Sequence, residues 1–197
     1  MLRFIYLASQ SPRRSQLLTQ LGVKHELLLP GPEEDAESLE AVLPGESPKA
    51  YVQRVTRLKL DAAMKRLKAR GLPPAPVLCS DTTVAFGKTI YGKPADAKDA
   101  TRMLQELSGR THRVLTSVAI GSGRRRLQDC SESRVTFAGM TKAEIKAYVA
   151  SGEPMGKAGA YAVQGLAAAH IQRISGSYTG IMGLPLFETA ELLKKLS

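Results

Sequence analysis

The sequence contains no tryptophan, and aromatic residues make up only 5% of its 197 residues. Proteins that hold single-stranded nucleic acid commonly stack the bases on aromatic side chains. This chain offers little surface of that kind. We therefore do not expect a nucleic acid to be its partner.

Long apolar runs are also absent, because no stretch approaches the roughly 20 apolar residues that a membrane helix needs. The first residues lead straight into a predicted strand and lack the layout of a signal peptide. The cysteines, Cys79 and Cys130, have neither metal-ligand spacing nor the pattern of a disulfide framework. The sequence therefore predicts a cytoplasmic protein with reduced cysteines and no membrane contact.

Several familiar motifs are missing, namely the GxxxxGK[ST] phosphate loop, GxGxxG and HExxH. The three histidines share no spacing, so a site centred on histidine is not supported. The formal net charge is +10, which favours an acidic partner. Basic residues are spread over the predicted helices, apart from residues 124–126, so phosphorylated small molecules fit better than a nucleic-acid polymer.

Apolar periodicity predicts alternating strands and helices. The predicted strands cover residues 4–8, 25–29, 77–86, 111–120, 124–137 and 167–174. The predicted helices cover residues 12–21, 49–70 and 186–196, with two more that begin after Asp96 and Thr141. A hairpin between residues 111 and 137 makes the sheet mixed, so we expect an α/β fold with a mixed twisted sheet flanked by helices.

A cationic segment, Ser9 to Arg14, lies between the first strand and the first helix. Ser11 is a good N-cap and Pro12 fits the first helical position. Arg13 and Arg14 then fall in the first turn, where the helix dipole is already positive. Either this segment is a solvated cap with two surface arginines, or it binds an anion such as phosphate together with Ser9.

Lys59 falls on the apolar side of the long predicted helix, with Val52, Val55 and Ala63. A lysine in this position either extends along the apolar face to reach water or contacts a buried anion. The sequence leaves both alternatives open.

Asp81 interrupts a run of residues that favour a strand. A buried carboxylate is costly without a partner, so Asp81 either ends the strand as a turn residue or serves to bind metal or accept a proton. The acidic loop over residues 30–46 has two interpretations as well. Its carboxylates are solvated, or they hold a divalent cation through oxygen ligands.

Lys93 lies between Gly92 and Pro94, which restrict the backbone and suit a positioned cation. Residues 151–165 are dense in glycine and alanine with isolated polar residues such as Gln164. Such a segment indicates either close approach to a ligand or tight packing.

Taken together, these segments resemble the Maf family of nucleoside triphosphate pyrophosphatases. The matching segments are residues 7–14, 80–82, 92–94, 108–112, 153–165, 176–178 and 183–186. They occur in the family's order and span nearly the whole chain. The resemblance implies one domain over residues 1–197, with two lobes around a deep cleft as in the Maf and ITPase-like folds, often as a homodimer.

The resemblance also implies hydrolysis of dTTP and UTP to the monophosphate and pyrophosphate, with Mg²⁺ or Mn²⁺. In this comparison Asp81 matches the proton acceptor. Residues that match the phosphate-binding positions are Ser9, Arg13, Arg14, Lys59 and Lys93. Those that match positions linked to base preference are Arg13, Thr82 and Gln164. Glu34 matches more loosely and would join Asp81 at the metal.

Two other functions stay open from the sequence. The first is a nucleotide- or nucleic-acid-binding regulator of cell division without catalysis, which the net charge favours. The second is hydrolysis of modified pyrimidine nucleotides, with dTTP and UTP as convenient substrates.

Overall fold

A computed structural model describes residues 4–35 and 38–196 of the chain. Its strands are β1 (Ile5–Leu7), β2 (His25–Leu27), β3 (Val77–Phe86), β4 (Thr89–Tyr91), β5 (Thr111–Ser122), β6 (Arg125–Phe137) and β7 (Ile171–Ser175). Its α-helices are α1 (Pro12–Gln20), α2 (Pro48–Ala69), α3 (Ala97–Leu107), α4 (Lys142–Ala150), α5 (Tyr178–Met182) and α6 (Leu186–Leu196). Short 3-10 helices cover Ser38–Glu40, Ala158–Ala160 and Leu166–His170. The positions at 36 and 37, within the predicted acidic loop, lie outside the described residues.

All seven strands join one sheet in the order β2-β1-β3-β5-β6-β7, with β4 beside β3. β1 runs parallel to both β2 and β3. The other pairs, β3–β4, β3–β5, β5–β6 and β6–β7, are antiparallel. The predicted mixed α/β fold is therefore confirmed.

The helices cover both faces of the sheet, as predicted. Side chains of successive strand residues point to opposite faces. Tyr6, Val77 and Cys79 pack with α2 residues on one face. Ile5, Leu7 and Leu78 pack with residues of α1 and α6 on the other. A further apolar cluster forms where α3 and α4 pack against the sheet. The division into two lobes stays a prediction.

A gap in the sheet positions the site. β3 pairs with β1 only through Val77 and Leu78, and with β4 only from Val84 onwards. On its other edge β3 pairs with β5 from Val77 to Ala85. Residues 79–83 therefore have a neighbouring strand on one side alone, and a cavity opens on the other.

The prediction that the last strand begins at residue 167 is wrong. Leu166–His170 form a 3-10 helix, and β7 begins at Ile171. The cause is a contact distant in sequence, because the carboxylate of Glu153 accepts the backbone N–H of Leu166 at 2.8 Å and of Ala167 at 3.4 Å. These are N–H groups that the start of a helix leaves unpaired. Among the described residues, no helix is both long enough and apolar enough to cross a membrane.

Candidate active site

The gap beside β3 opens into a cavity of about 1040 Å³. It is lined by most of the residues that the sequence singled out, including Ser9, Arg13, Arg14, Glu34, Lys59, Asp81, Thr82 and Lys93. A cavity of this size is typical of small-molecule sites, and polar groups converge on it from several elements. The described part of the chain thus brings these residues together.

Strand alternation divides the polar residues of β3 between the two faces. Asp81 lies two residues after Cys79 and four after Val77 along β3, so its side chain points to the same face of the sheet as theirs, towards α2. Thr82 is the next residue along the strand, so its side chain points to the opposite face, towards α1. This division explains why Asp81 meets Lys59 of α2, whereas Thr82 meets Arg14 of α1.

Arg14 holds the α1 side of the cavity together. Its Nε donates to the carbonyl oxygen of Gly183 at 2.7 Å. Its Nη1 donates to Ser9 Oγ at 3.1 Å and its Nη2 to Thr82 Oγ1 at 3.3 Å. A solvated surface arginine is therefore the wrong interpretation for this residue. Burial lowers the pKa of Arg14, although the negative charges of Asp81 and Glu40 oppose that effect.

The start of α1 differs in detail from the predicted cap. Ser11 is the N-cap residue and Pro12 follows it, but the Ser11 side chain caps nothing. The Ser9 hydroxyl instead accepts the backbone N–H of Ser11 at 3.2 Å. Arg13 lines the cavity, and among the described residues its guanidinium has neither a hydrogen bond nor an ion pair.

Lys59 connects the two carboxylates of the site. Its Nζ lies 2.5 Å from Asp81 Oδ1 and 2.6 Å from Glu40 Oε1. Of the two alternatives for this lysine, contact with a buried anion is therefore correct. Burial opposes its charge, but Asp81 and Glu40 outweigh that effect and raise the pKa of Lys59.

Glu40 is a site residue that the sequence reasoning missed. The hydroxyl of Tyr51 donates to the Glu40 carbonyl oxygen at 2.9 Å, which fixes the backbone beside the cavity. Lys93 Nζ lies 3.4 Å from Glu40 Oε2. Burial opposes ionisation, yet Lys59 and Lys93 lower the pKa of Glu40. The one feature of the sequence that pointed to Glu40 was its position in the predicted acidic loop.

Glu34 is held away from this cluster by Arg66. Both carboxylate oxygens bind the guanidinium, with the closest contact 2.6 Å from Arg66 Nη2. Gly31 N–H also donates to Glu34 Oε1 at 3.0 Å. Arg66 together with Gly31 lowers the pKa of Glu34 to about 2. A joint metal role for Glu34 and Asp81 therefore stays a prediction, since Glu34 binds Arg66 whereas Glu40 shares Lys59 with Asp81.

Of the three residues linked to base preference, only Arg13 and Thr82 line the cavity. Thr82 lines the cavity, and its hydroxyl lies 3.0 Å from that of Thr116. Gln164 is exposed and is not among the residues that line the cavity. A role for Gln164 in reading the base stays a prediction.

The described residues include no group of three or more His, Cys, Asp or Glu side chains suited to a metal ion. Mg²⁺ is commonly bound by one or two carboxylates together with substrate phosphates. Asp81 and Glu40 supply two carboxylates at the cavity. Asp81 Oδ2 makes no hydrogen bond within the described part of the chain, so it is the oxygen left for a ligand. The donor set thus fits Mg²⁺ or Mn²⁺.

Comparisons with known proteins identify the family of the chain. The family model described as Maf-like protein matches residues 4–196. A "dTTP/UTP pyrophosphatase" of Albidiferax ferrireducens is 72% identical over 194 residues, covering 98% of this chain and 97% of the relative. A protein of the same name from Polaromonas sp. is 70% identical over 191 residues, covering 97% and 95%.

A solved structure, the Ham1 protein of Staphylococcus aureus, is 12% identical and covers 69% of this chain and 72% of its own, with a TM-score of 0.41. The family model spans nearly the whole chain. Relatives of 70% identity or more match it at almost full length. The chain therefore belongs to the Maf family.

Proposed function

We propose that the protein is a nucleoside triphosphate pyrophosphatase that acts on dTTP and UTP, releasing the monophosphate and pyrophosphate. One observation carries the proposal. Lys59 joins two carboxylates, Asp81 and Glu40, at the edge of a cavity whose walls also carry cations. Full-length relatives of up to 72% identity that are named for this activity support it.

The cavity suits a triphosphate because cations face it from separate elements. Arg13 and Arg14 come from α1, and Lys93 follows β4. Charge-assisted hydrogen bonds from guanidinium groups to phosphate oxygens are among the stronger polar contacts in proteins. Phosphoryl transfer depends mainly on positioning and on stabilising charge, and both come from such groups.

Asp81 is the proposed general base. Its Oδ1 is engaged by Lys59, which fixes the orientation of the carboxylate. Oδ2 is then the atom that accepts a proton from the attacking water. Glu40 completes the cluster through Lys59 and helps to hold the lysine in place.

A divalent cation, Mg²⁺ or Mn²⁺, is the proposed cofactor, with Glu40 and the substrate phosphates as its ligands, so that Asp81 Oδ2 stays free for the proton. When bound, it would neutralise phosphate charge and polarise the phosphorus under attack. Glu40 also binds Lys59, so the lysine and the cation are expected to compete for this carboxylate.

For base preference, we propose that Thr82 shapes the pocket and that Gln164 pairs with the edge of a uracil-type ring. An amide carries both a donor and an acceptor, as that edge requires. Gln164→Ala is expected to impair dTTP turnover more than GTP turnover. Equal losses on the two substrates would remove this role.

A panel of canonical and modified triphosphates, assayed for pyrophosphate with Mg²⁺ and with Mn²⁺, tests the function. Release from dTTP and UTP above release from purine triphosphates is the expected result. Faster release from a modified pyrimidine triphosphate would change the assigned substrate. DNA binding without pyrophosphate from any triphosphate would favour a non-catalytic regulator.

A further inference from the structure

The cations of the cavity fall into two groups. Lys59 and Lys93 form ion pairs with the carboxylates of Asp81 and Glu40. Arg66 is paired with Glu34. Within each set the charges offset one another, so the paired cations add little net attraction for an anionic ligand.

The second group has no such compensation. Arg13, Arg14 and Lys157 line the cavity, and within residues 4–35 and 38–196 none of them forms an ion pair. Arg14 donates to neutral oxygens only. Positive charge without an ion-pair partner among the described residues is thus carried by the part of the cavity wall that these three residues form.

Lys157 is held in place by its own loop. Its Nζ donates to the carbonyl oxygen of Glu153 at 2.6 Å. Glu153 is itself fixed, because its carboxylate accepts the Tyr148 hydroxyl and the Leu166 N–H, each at 2.8 Å. Nζ also donates to the Met155 carbonyl oxygen at 3.5 Å, and because an ammonium group has three N–H donors, one remains for a ligand.

The electrostatic surroundings of Lys157 are unfavourable without an anion. Burial, and then the positive charge of Arg13, lower the pKa of Lys157. Among the described residues, Lys157 makes no hydrogen bond or ion pair with Asp81, Glu40 or Lys59. An anion bound between Arg13 and Lys157 would relieve their repulsion.

We propose that Lys157 is a phosphate-binding residue and that it forms with Arg13 a second phosphate subsite, distinct from the Asp81–Lys59–Glu40 cluster. The inference rests on the proposed function for the identity of the ligand, a triphosphate. The subsite itself requires only a polyphosphate chain. It can therefore be tested without turnover.

The binding test uses inorganic tripolyphosphate, measured by calorimetry on the whole protein. Lys157→Gln keeps an N–H donor but removes the charge. We expect it to weaken tripolyphosphate binding about tenfold and to raise KM for dTTP similarly, with little change in kcat. Lys157→Arg should retain most of the affinity.

Lys146→Gln is the matched control, because Lys146 is exposed on α4 and makes no hydrogen bond or ion pair with the described residues. It should bind tripolyphosphate as the unmodified protein does. Unchanged tripolyphosphate affinity in a folded Lys157→Gln variant would overturn the inference. Equal weakening by both glutamine variants would overturn it as well, because the effect would then be one of general charge.

A second measurement needs no variant. Reductive methylation of the unaltered protein, read by mass spectrometry, should be slowed at Lys157 by tripolyphosphate and unchanged at Lys146. Equal rates at Lys157 with and without tripolyphosphate would contradict the subsite. Protection of Lys157 in a protein that releases no pyrophosphate would support the subsite and contradict the proposed function.

Discussion

The Nζ atom of Lys59 lies 2.5 Å from Oδ1 of Asp81, and this contact joins α2 to the unpaired edge of β3. The same ammonium binds Glu40 at 2.6 Å. The lysine therefore separates two carboxylates that would otherwise repel each other. Lys59 thus links α2, β3 and the loop that carries Glu40 at the cavity.

Replacing Lys59 is expected to affect stability and turnover together. Among the described residues, Lys59→Met leaves Asp81 without an ion-pair partner and Glu40 with Lys93 alone, and removing one member of a largely buried pair costs about 3 kcal/mol. Urea unfolding should show this loss in the free energy of unfolding. Adding Glu40→Gln to Lys59→Met should restore part of the stability but none of the activity. A double variant no more stable than Lys59→Met would contradict this account of the cluster.

Two glutamates of one loop are expected to behave differently when each is replaced by glutamine. Glu40→Gln should reduce kcat, because Glu40 belongs to the Lys59 cluster, with little effect on stability. Glu34→Gln should cost about 2 kcal/mol of stability, because Arg66 loses charged hydrogen bonds, and should leave kcat nearly unchanged. A loss of kcat in Glu34→Gln together with an unchanged kcat in Glu40→Gln would assign the role in the site to Glu34 instead.

The pH dependence of Glu34→Gln gives a further check. The pKa of Glu34 is lowered from 4.5 to about 2 in the folded protein. Its contribution is therefore complete above about pH 4.5 and is lost as pH falls towards 2. The stability difference between the unaltered protein and Glu34→Gln should shrink over that interval.

His112 is expected to make the protein sensitive to acid. Its Nε2 lies 2.8 Å from the Tyr161 hydroxyl, and its buried Nδ1 has no hydrogen-bond partner among the described residues. Burial lowers the pKa of His112 from 6.5 to about 4. Between these pH values the unfolded chain binds the proton and the folded protein does not. Stability should therefore fall as pH drops from 6.5 to 4, by up to about 3 kcal/mol.

Urea midpoints at pH 7.5 and pH 4.5 test this expectation. His112→Phe should be less stable at pH 7.5, because Tyr161 loses a hydrogen-bond partner, but it should lose less stability on acidification. His170→Gln, at a half-buried position, should keep the acid sensitivity of the unaltered protein. Equal acid losses in His112→Phe and in the unaltered protein would exclude His112 as the cause.

Regular spacing made part of the site predictable from the sequence. Helical periodicity assigned Lys59 to the side of Val55 and Ala63, and both of those residues are fully buried in the structure. A lysine there either reaches water or contacts a buried anion, and the sequence could not choose between the two. The structure identifies the anion as the carboxylates of Asp81 and Glu40.

Contacts between distant segments could not be predicted in this way. Glu34 and Glu40 share an acidic loop without periodicity, and only tertiary contacts pair the first with Arg66 and the second with Lys59. Lys157 looked like one polar residue of a Gly- and Ala-rich segment. Its proposed role rests on the finding that no described carboxylate forms an ion pair with it, which is a property of the folded protein.

The most direct test of the central claim is pyrophosphate release from dTTP by Asp81→Asn, compared with the unaltered protein at saturating Mg²⁺. Asparagine keeps the shape of the side chain but cannot accept the proton of the attacking water. We predict that kcat falls at least a hundredfold, the lower range attributed to general base catalysis, while the urea midpoint shows a folded protein. Unchanged pyrophosphate release by a folded Asp81→Asn variant would contradict the account.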